Sequence, residues 1–142
     1  MATKCILLVD DYPDALEIWG FYLRSLGYQV VTADDGFKAL AQAQKHLPDI
    51  IVLDLELPGI TGFEAALRLR HAPETAAIPL IAATGYSHFK QLNQARESGF
   101  DSIVIKPCEP AALVSEVERL LQLSNREARE WTTNVERRGQ NR

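Results

Sequence analysis

The chain has 142 residues, 46% of them hydrophobic and 24% charged, and a formal net charge of -4. Such a length and composition suit one globular domain with a full core and exclude a disordered, collagenous or disulfide-stapled chain. The longest apolar runs, Cys5 to Val9 and Ile50 to Leu53, fall far short of the ~20 residues that a membrane helix requires.

The charge is unevenly divided. Residues 1–123 carry 10 basic and 16 acidic side chains, and residues 124–142 carry 5 and 3. An acidic body offers no cluster of Lys and Arg to replace the counterions on phosphates, so no nucleic-acid partner is expected. Met1 to Lys4 lead directly into the first apolar run without a secretory signal, which predicts a cytoplasmic protein with no membrane association. In that compartment the two cysteines, Cys5 and Cys108, read as reduced thiols.

In chain order, short β-branched runs predict strands over Lys4 to Val9, Tyr28 to Thr32, Ile50 to Leu53, Leu80 to Ala83 and Ser102 to Ile105. Mostly continuous apolar strands are those covered on both faces. Helical periodicity fills the intervals. Ala15, Ile18, Trp19, Tyr22, Leu23 and Leu26 form one stripe, and Leu113, Val114, Val117, Leu120 and Leu121 form the last, with Pro110 in its first turn. Gly27 and Gly99 mark helix-to-strand turns that use a left-handed backbone. The alternation predicts an α/β fold with a parallel sheet joined by helical crossovers.

Asp10 and Asp11 end the first strand, Asp54 the third, Thr84 the fourth and Lys106 the fifth. An open parallel sheet binds its ligands outside the carboxyl ends of the strands, so one crevice gathers all five side chains. Taken singly, Asp10 and Asp11 read as a helix cap, Thr84 as a turn residue and Lys106 as a solvated charge. Their joint placement is what points to chemistry. Three carboxylates so close resist ionising together unless a cation lies between them, and Mg²⁺ fits best because it takes a few oxygen ligands and bridges to phosphate. His46, His71 and His88 lie on separate helical stretches, so no zinc spacing competes. A carboxylate, Mg²⁺, a hydroxyl and an ammonium together suit phosphoryl transfer to an aspartate.

Asp10-Asp11, Asp54 followed by Pro58 and Gly62, Thr84, and Lys106-Pro107 resemble the receiver domains of two-component response regulators over about residues 4–123, specifically the stand-alone, chemotaxis-Y-like kind. The resemblance implies a doubly wound, flavodoxin-like sandwich with a five-stranded sheet of order 2-1-3-4-5. It implies Asp54 as phosphoacceptor, Asp10, Asp11, Asp54 and the main-chain carbonyl of Glu56 around Mg²⁺, Thr84 and Lys106 on the phosphoryl oxygens, and a cis peptide at Lys106-Pro107. A histidine kinase or histidine phosphotransfer protein would be the donor. Output would pass to a downstream protein, from a monomer or weak homodimer that catalyses only its own phosphorylation and dephosphorylation. The alternatives weighed against this are an aspartyl phosphatase of the haloacid dehalogenase type, suggested by Asp54-Leu55-Glu56, a flavodoxin-like cofactor binder, and a receiver acting unphosphorylated as a scaffold.

Two departures from the family pattern stand out: Ile103 occupies the position where many receivers carry a switching Tyr or Phe, and Cys108 one often held by a large apolar residue. Tyr86, two residues after Thr84, supplies an aromatic nearby and is the expected reporter of phosphorylation. Glu56 and Tyr86 sit where the family tunes the life of the acyl phosphate. Residues 124–142 are expected to form a charged tail, by default a frayed, solvated end, with no second effector module. The alternative is that Ala128, Trp131 and Val135, which continue the helical spacing of Leu120 or Leu121, extend the fifth helix and form a dimer or partner contact through Trp131.

Overall fold

The computed structural model describes residues 3–85 and 88–123 and the backbone of residues 132–133. Eleven elements follow one another: β1 (Cys5–Val9), α1 (Pro13–Ser25), β2 (Gln29–Ala33), α2 (Gly36–His46), β3 (Ile50–Leu53), α3 (Gly62–His71), β4 (Leu80–Thr84), α4 (Phe89–Ser98), β5 (Ser102–Ile105), α5 (Pro110–Gln122) and β6 (Thr132–Thr133). All strands run parallel, in the order β2-β1-β3-β4-β5-β6. The first five keep the expected 2-1-3-4-5 arrangement, and their ends lie within one residue of the expected limits.

The alternation of side chains along each strand divides the core in two. Leu7, Val9, Ile51, Leu53, Leu80, Ala82 and Ile103 face one way and pack with Ala39 and Ala43 of α2, Ala65, Ala66 and Leu69 of α3, and Ala95 of α4. Ile6, Leu8, Ile50, Val52, Ile81 and Val104 face the other way, against Leu23 of α1 and Leu113, Val117 and Leu120 of α5. The first helical layer is rich in alanine, which lets three helices lie close to the sheet. The second relies on leucine and valine, whose burial contributes roughly 1.5–3 kcal/mol per side chain. Helices on both faces explain why the strands read as unbroken apolar runs.

Gly27 and Gly99 take φ of 97° and 106°, the left-handed turns predicted for them. Beside Gly99 an internal ion pair ties three elements together. Arg70 of α3 donates to the carbonyls of Gly99, Ala76 and Ile78 and to Asp101 Oδ2 at 2.7 Å, and Asp101 Oδ2 also accepts the N–H of Leu80 at 2.9 Å. This fixes the amino-terminal ends of β4 and β5.

The continuous helical extension of α5 does not form. α5 ends at Gln122, and Leu123 turns to φ -80° and ψ 152°, an extended conformation that breaks the helical hydrogen-bond ladder. Further on, Thr132 and Thr133 pair with Ser102 and Ile103 as a short sixth strand, a conformation that suits two β-branched residues. Ala128, Trp131 and Val135 lie outside the described residues.

Candidate functional site

The ladder carries the key residues to one end of the sheet. Just past β1, the Asp10 N–H donates to the Ala33 carbonyl (3.2 Å), and just past β3 the Asp54 N–H donates to the Val9 carbonyl (3.1 Å). Just past β5, the Lys106 N–H donates to the Thr84 carbonyl (2.8 Å). Each of these residues thus continues its strand by one step, and their side chains converge. Carboxylate oxygens of Asp10, Asp11 and Asp54 lie within 4.8 Å of one another. Asp10 is 6% exposed and Asp54 9%, whereas Asp11 faces solvent. The Lys106 ammonium bridges the two buried carboxylates, at 2.6 Å from Asp10 Oδ2 and 3.2 Å from Asp54 Oδ2.

Capping explains none of these acids. The residue that caps α1 is Tyr12, without a side-chain cap, and Asp10 Oδ1 accepts the Tyr12 N–H at 2.9 Å. α3 is capped by Thr61, seven residues beyond Asp54. Asp54 Oδ1 accepts instead from the Glu56 N–H at 3.1 Å, which holds the backbone of Glu56 beside the cluster. Gly62 is required by close approach. A Cβ there would lie 2.2 Å from the Asp54 carbonyl oxygen, and the Gly62 N–H donates to the Leu55 carbonyl at 2.9 Å.

Burial pushes the Asp54 carboxyl above its usual range, and neighbouring Asp10 adds to the rise. The Glu56 N–H and the Lys106 ammonium pull against it without prevailing. Burial alone would lower the Lys106 ammonium, but its hydrogen bond to Asp10 and its attraction to both carboxylates raise it, so it stays charged. Three carboxylates against one ammonium leave an excess of negative charge in a partly dry place. Their oxygen donors, without sulfur or imidazole, are those of a site for a hard divalent cation such as Mg²⁺.

Thr84 is fully buried at the end of β4, and the Lys106-Pro107 peptide is cis, as expected. Ile103 is also fully buried, in the same core cluster as Ala82 and Ala95, against which Leu92 packs. Tyr86 lies outside the described residues. Cys5 and Cys108 are free thiols. Burial raises both, with Asp49 adding to the effect at Cys5 and Glu109 at Cys108 despite the opposing pull of Lys106, so neither is an activated thiolate.

Some features were beyond sequence reasoning. Cys108 lines a narrow cleft with Trp19 and Leu113 that reaches Asp10 and Lys106, a packing that a single sequence does not reveal. The direct bridge from Lys106 to Asp10 was likewise unforeseen. Its signal was the placement of both residues at strand ends, which gives proximity without partners.

The profile of the response regulator receiver domain matches residues 6–118. The chain belongs to the response regulator receiver family. It is 34% identical, over 84% of its length and 91% of the relative's, to a protein described as an uncharacterized 14.6 kDa protein in the sodA1 3' region of Leptolyngbya boryana. It is 36% identical to the DNA-binding dual master transcriptional regulator RpaA of Synechocystis over 85% of this chain, which spans 50% of that regulator. Among solved structures it resembles the receiver domain of the sensor histidine kinase PA1611 of Pseudomonas aeruginosa, with TM-score 0.80 and 30% identity over 86% of this chain and 100% of that one. That receiver holds a magnesium ion in its active-site cleft.

Receivers are signalling modules of two-component systems. They bind Mg²⁺ in this acidic site and interact with histidine kinases and downstream targets. Family membership sets aside the dehalogenase-type and flavodoxin-like alternatives, and the position of Asp54 after the third strand agrees, since the dehalogenase motif belongs on a first strand. No helix among the described residues is long and apolar enough to cross a membrane.

Proposed function

We propose that this receiver takes a phosphoryl group on Asp54 from the phosphohistidine of a histidine kinase or histidine phosphotransfer protein. The observation that carries the reading is the Lys106 ammonium held between Asp10 and Asp54, with Asp11 completing the trio of acids. Mg²⁺, held by Asp10, Asp11, Asp54 and the main-chain carbonyl of Glu56, would supply neutralisation of the phosphoryl oxygens and of the acids.

The chain's own residues do the rest. A carboxylate oxygen of Asp54 forms the new O–P bond as the P–N bond of the donor breaks, and the electron pair of that bond returns to the imidazole nitrogen. The burial that raises the proton affinity of Asp54 also leaves its oxygens less hydrated for attack. Lys106, fixed as a cation, offsets charge on the transferring oxygens, and the Thr84 hydroxyl donates to them. Glu56 and Tyr86, flanking this path in sequence, set the access of water and hence the life of the acyl phosphate. Phosphorylation then shifts an equilibrium in the face made by α4, β5 and α5, and a partner protein reads it. Because Ile103 fills the usual aromatic position, Tyr86 is the proposed reporter of that state. A cytoplasmic place belongs to the same reading.

Intact-mass analysis after incubation with acetyl phosphate and Mg²⁺ tests the acceptor. A single phosphate adduct on the wild type and none on Asp54→Asn is the expected result. An equal adduct on the variant would move the site, and no adduct on either would favour an unphosphorylated scaffold.

A further inference from the structure

In a sheet of order 2-1-3-4-5 the outer side of β5 is an open edge, a row of backbone donors and acceptors ready to pair with any extended segment. Here that edge is taken by the chain itself. Thr132 and Thr133 lie parallel to β5 in register with Ser102 and Ile103, so β5, α5 and β6 form one more crossover unit of the doubly wound fold.

We infer that the β5 edge is a strand-accepting site whose resident occupant is the segment around Thr132 and Thr133, held there reversibly so that it screens the edge from an extended segment of a partner. Three observations converge. The first is reach. Eight residues separate Leu123 from Thr132, and at ~3.3 Å each they span more than the roughly 10 Å between a helical layer and its sheet. The second is charge. Residues 124–142 carry 5 basic and 3 acidic side chains, against 10 and 16 in residues 1–123, so opposite net charge favours their association. The third is brevity. Among the described residues β6 pairs with two residues of β5 and leaves Val104 and Ile105 beyond it, a stretch on which a longer strand could begin to displace it.

The covered position includes Ile103, which stands where the family keeps its aromatic switch. A chain lacking that aromatic can govern the same strand from outside, by the presence or absence of β6 along its edge. This consequence for output rests on the reading of the α4, β5 and α5 face given above, whereas occupancy of the edge does not depend on phosphorylation at all.

The test uses the full chain and the double variant Thr132→Pro/Thr133→Pro, which removes both backbone donors of β6 and touches no residue of the acidic site. Amide hydrogen exchange is followed at Ser102, Ile103 and Val104, together with binding of a labelled peptide of sequence AREWTTNVER, copied from residues 128–137. Exchange at the edge about tenfold faster in the variant, an unchanged melting temperature and peptide binding at least about tenfold tighter than to the wild type are the expected results. Addition of salt should speed exchange at the same amides in the wild type and leave the variant unmoved. Equal exchange and equal peptide binding in the two proteins would overturn the inference. Mixed dimers from differently labelled chains, with edge protection that disappears on dilution, would also overturn it by showing that the strand comes from a second copy. Acetyl phosphate labelling of Asp54, measured on the same variant, reports separately on the proposed phosphorylation.

Discussion

Two sets of buried charges sit at opposite ends of the same sheet, and they are built on opposite plans. At the amino-terminal ends of β4 and β5, Arg70 faces Asp101, among the described residues one charge against one, with side chains 11% and 3% exposed. Carbonyls of Gly99, Ala76 and Ile78 and the N–H of Leu80 add further hydrogen bonds to the pair. At the carboxyl ends, three acids share one ammonium, and burial raises the proton affinity of Asp54. A paired, hydrogen-bonded charge set of this kind fixes structure. An unbalanced one stores an unmet demand for positive charge, which a divalent cation would meet.

The comparison is broken most directly by removing one acid at each end. Asp101→Ala takes from the buried Arg70 guanidinium the carboxylate it faces and should cost about 3–5 kcal/mol. Asp54→Asn removes an acid from a cluster that has too many and should change stability by no more than about 1 kcal/mol in either direction. Urea denaturation of both variants decides the matter, and similar costs would erase the distinction drawn here.

A smaller effect separates backbone fit from charge at the site. Gly62→Ala forces a methyl group onto the Asp54 carbonyl and should destabilise the protein by about 1–3 kcal/mol, with slower phosphorylation because the acceptor is displaced. Denaturation together with the rate of labelling by acetyl phosphate would reveal it. Full stability and full rate would mean that the α3 start yields at no cost.

The smallest effect is the most specific. Mg²⁺ at ten times its dissociation constant should stabilise the wild type by about 1.4 kcal/mol, and Asp11→Asn should weaken that gain while leaving stability without Mg²⁺ nearly unchanged, since Asp11 is exposed. Thermal melts over a Mg²⁺ titration check both halves. An equal Mg²⁺ response at the Asp101 end, read as loss of stabilisation in an Asp101→Asn variant alone, would reverse the assignment.

Much of this molecule was legible before its structure. Strand positions followed from unbroken apolar runs, because a strand covered on both faces has no polar side to interrupt it. Asp10, Asp11, Asp54 and Lys106 lie together because a parallel sheet sends its strand ends to one place. The helical alternative for the tail fails at its first step for a physical reason. Leu120, Ala128, Trp131 and Val135 keep helical spacing, yet spacing does not register the extended turn at Leu123 that ends α5, nor the open edge of β5 that makes strand pairing available to Thr132 and Thr133. The Arg70 and Asp101 pair escaped notice as well, since their 31-residue separation carries no local pattern. Tertiary opportunities of this kind are set by what the fold leaves unpaired, and periodicity within one segment does not contain them.

The central claim, that the unbalanced end of the sheet exists to place a phosphoryl group on Asp54, is tested most directly by trapping the product. Borohydride reduction converts an aspartyl phosphate to homoserine, and peptide mapping of the reduced protein after phosphorylation in Mg²⁺ locates it. Homoserine at position 54, dependent on both Mg²⁺ and phosphodonor, is the predicted result. Homoserine at Asp10 or Asp11, or none at all in a protein that still binds Mg²⁺, would contradict the account.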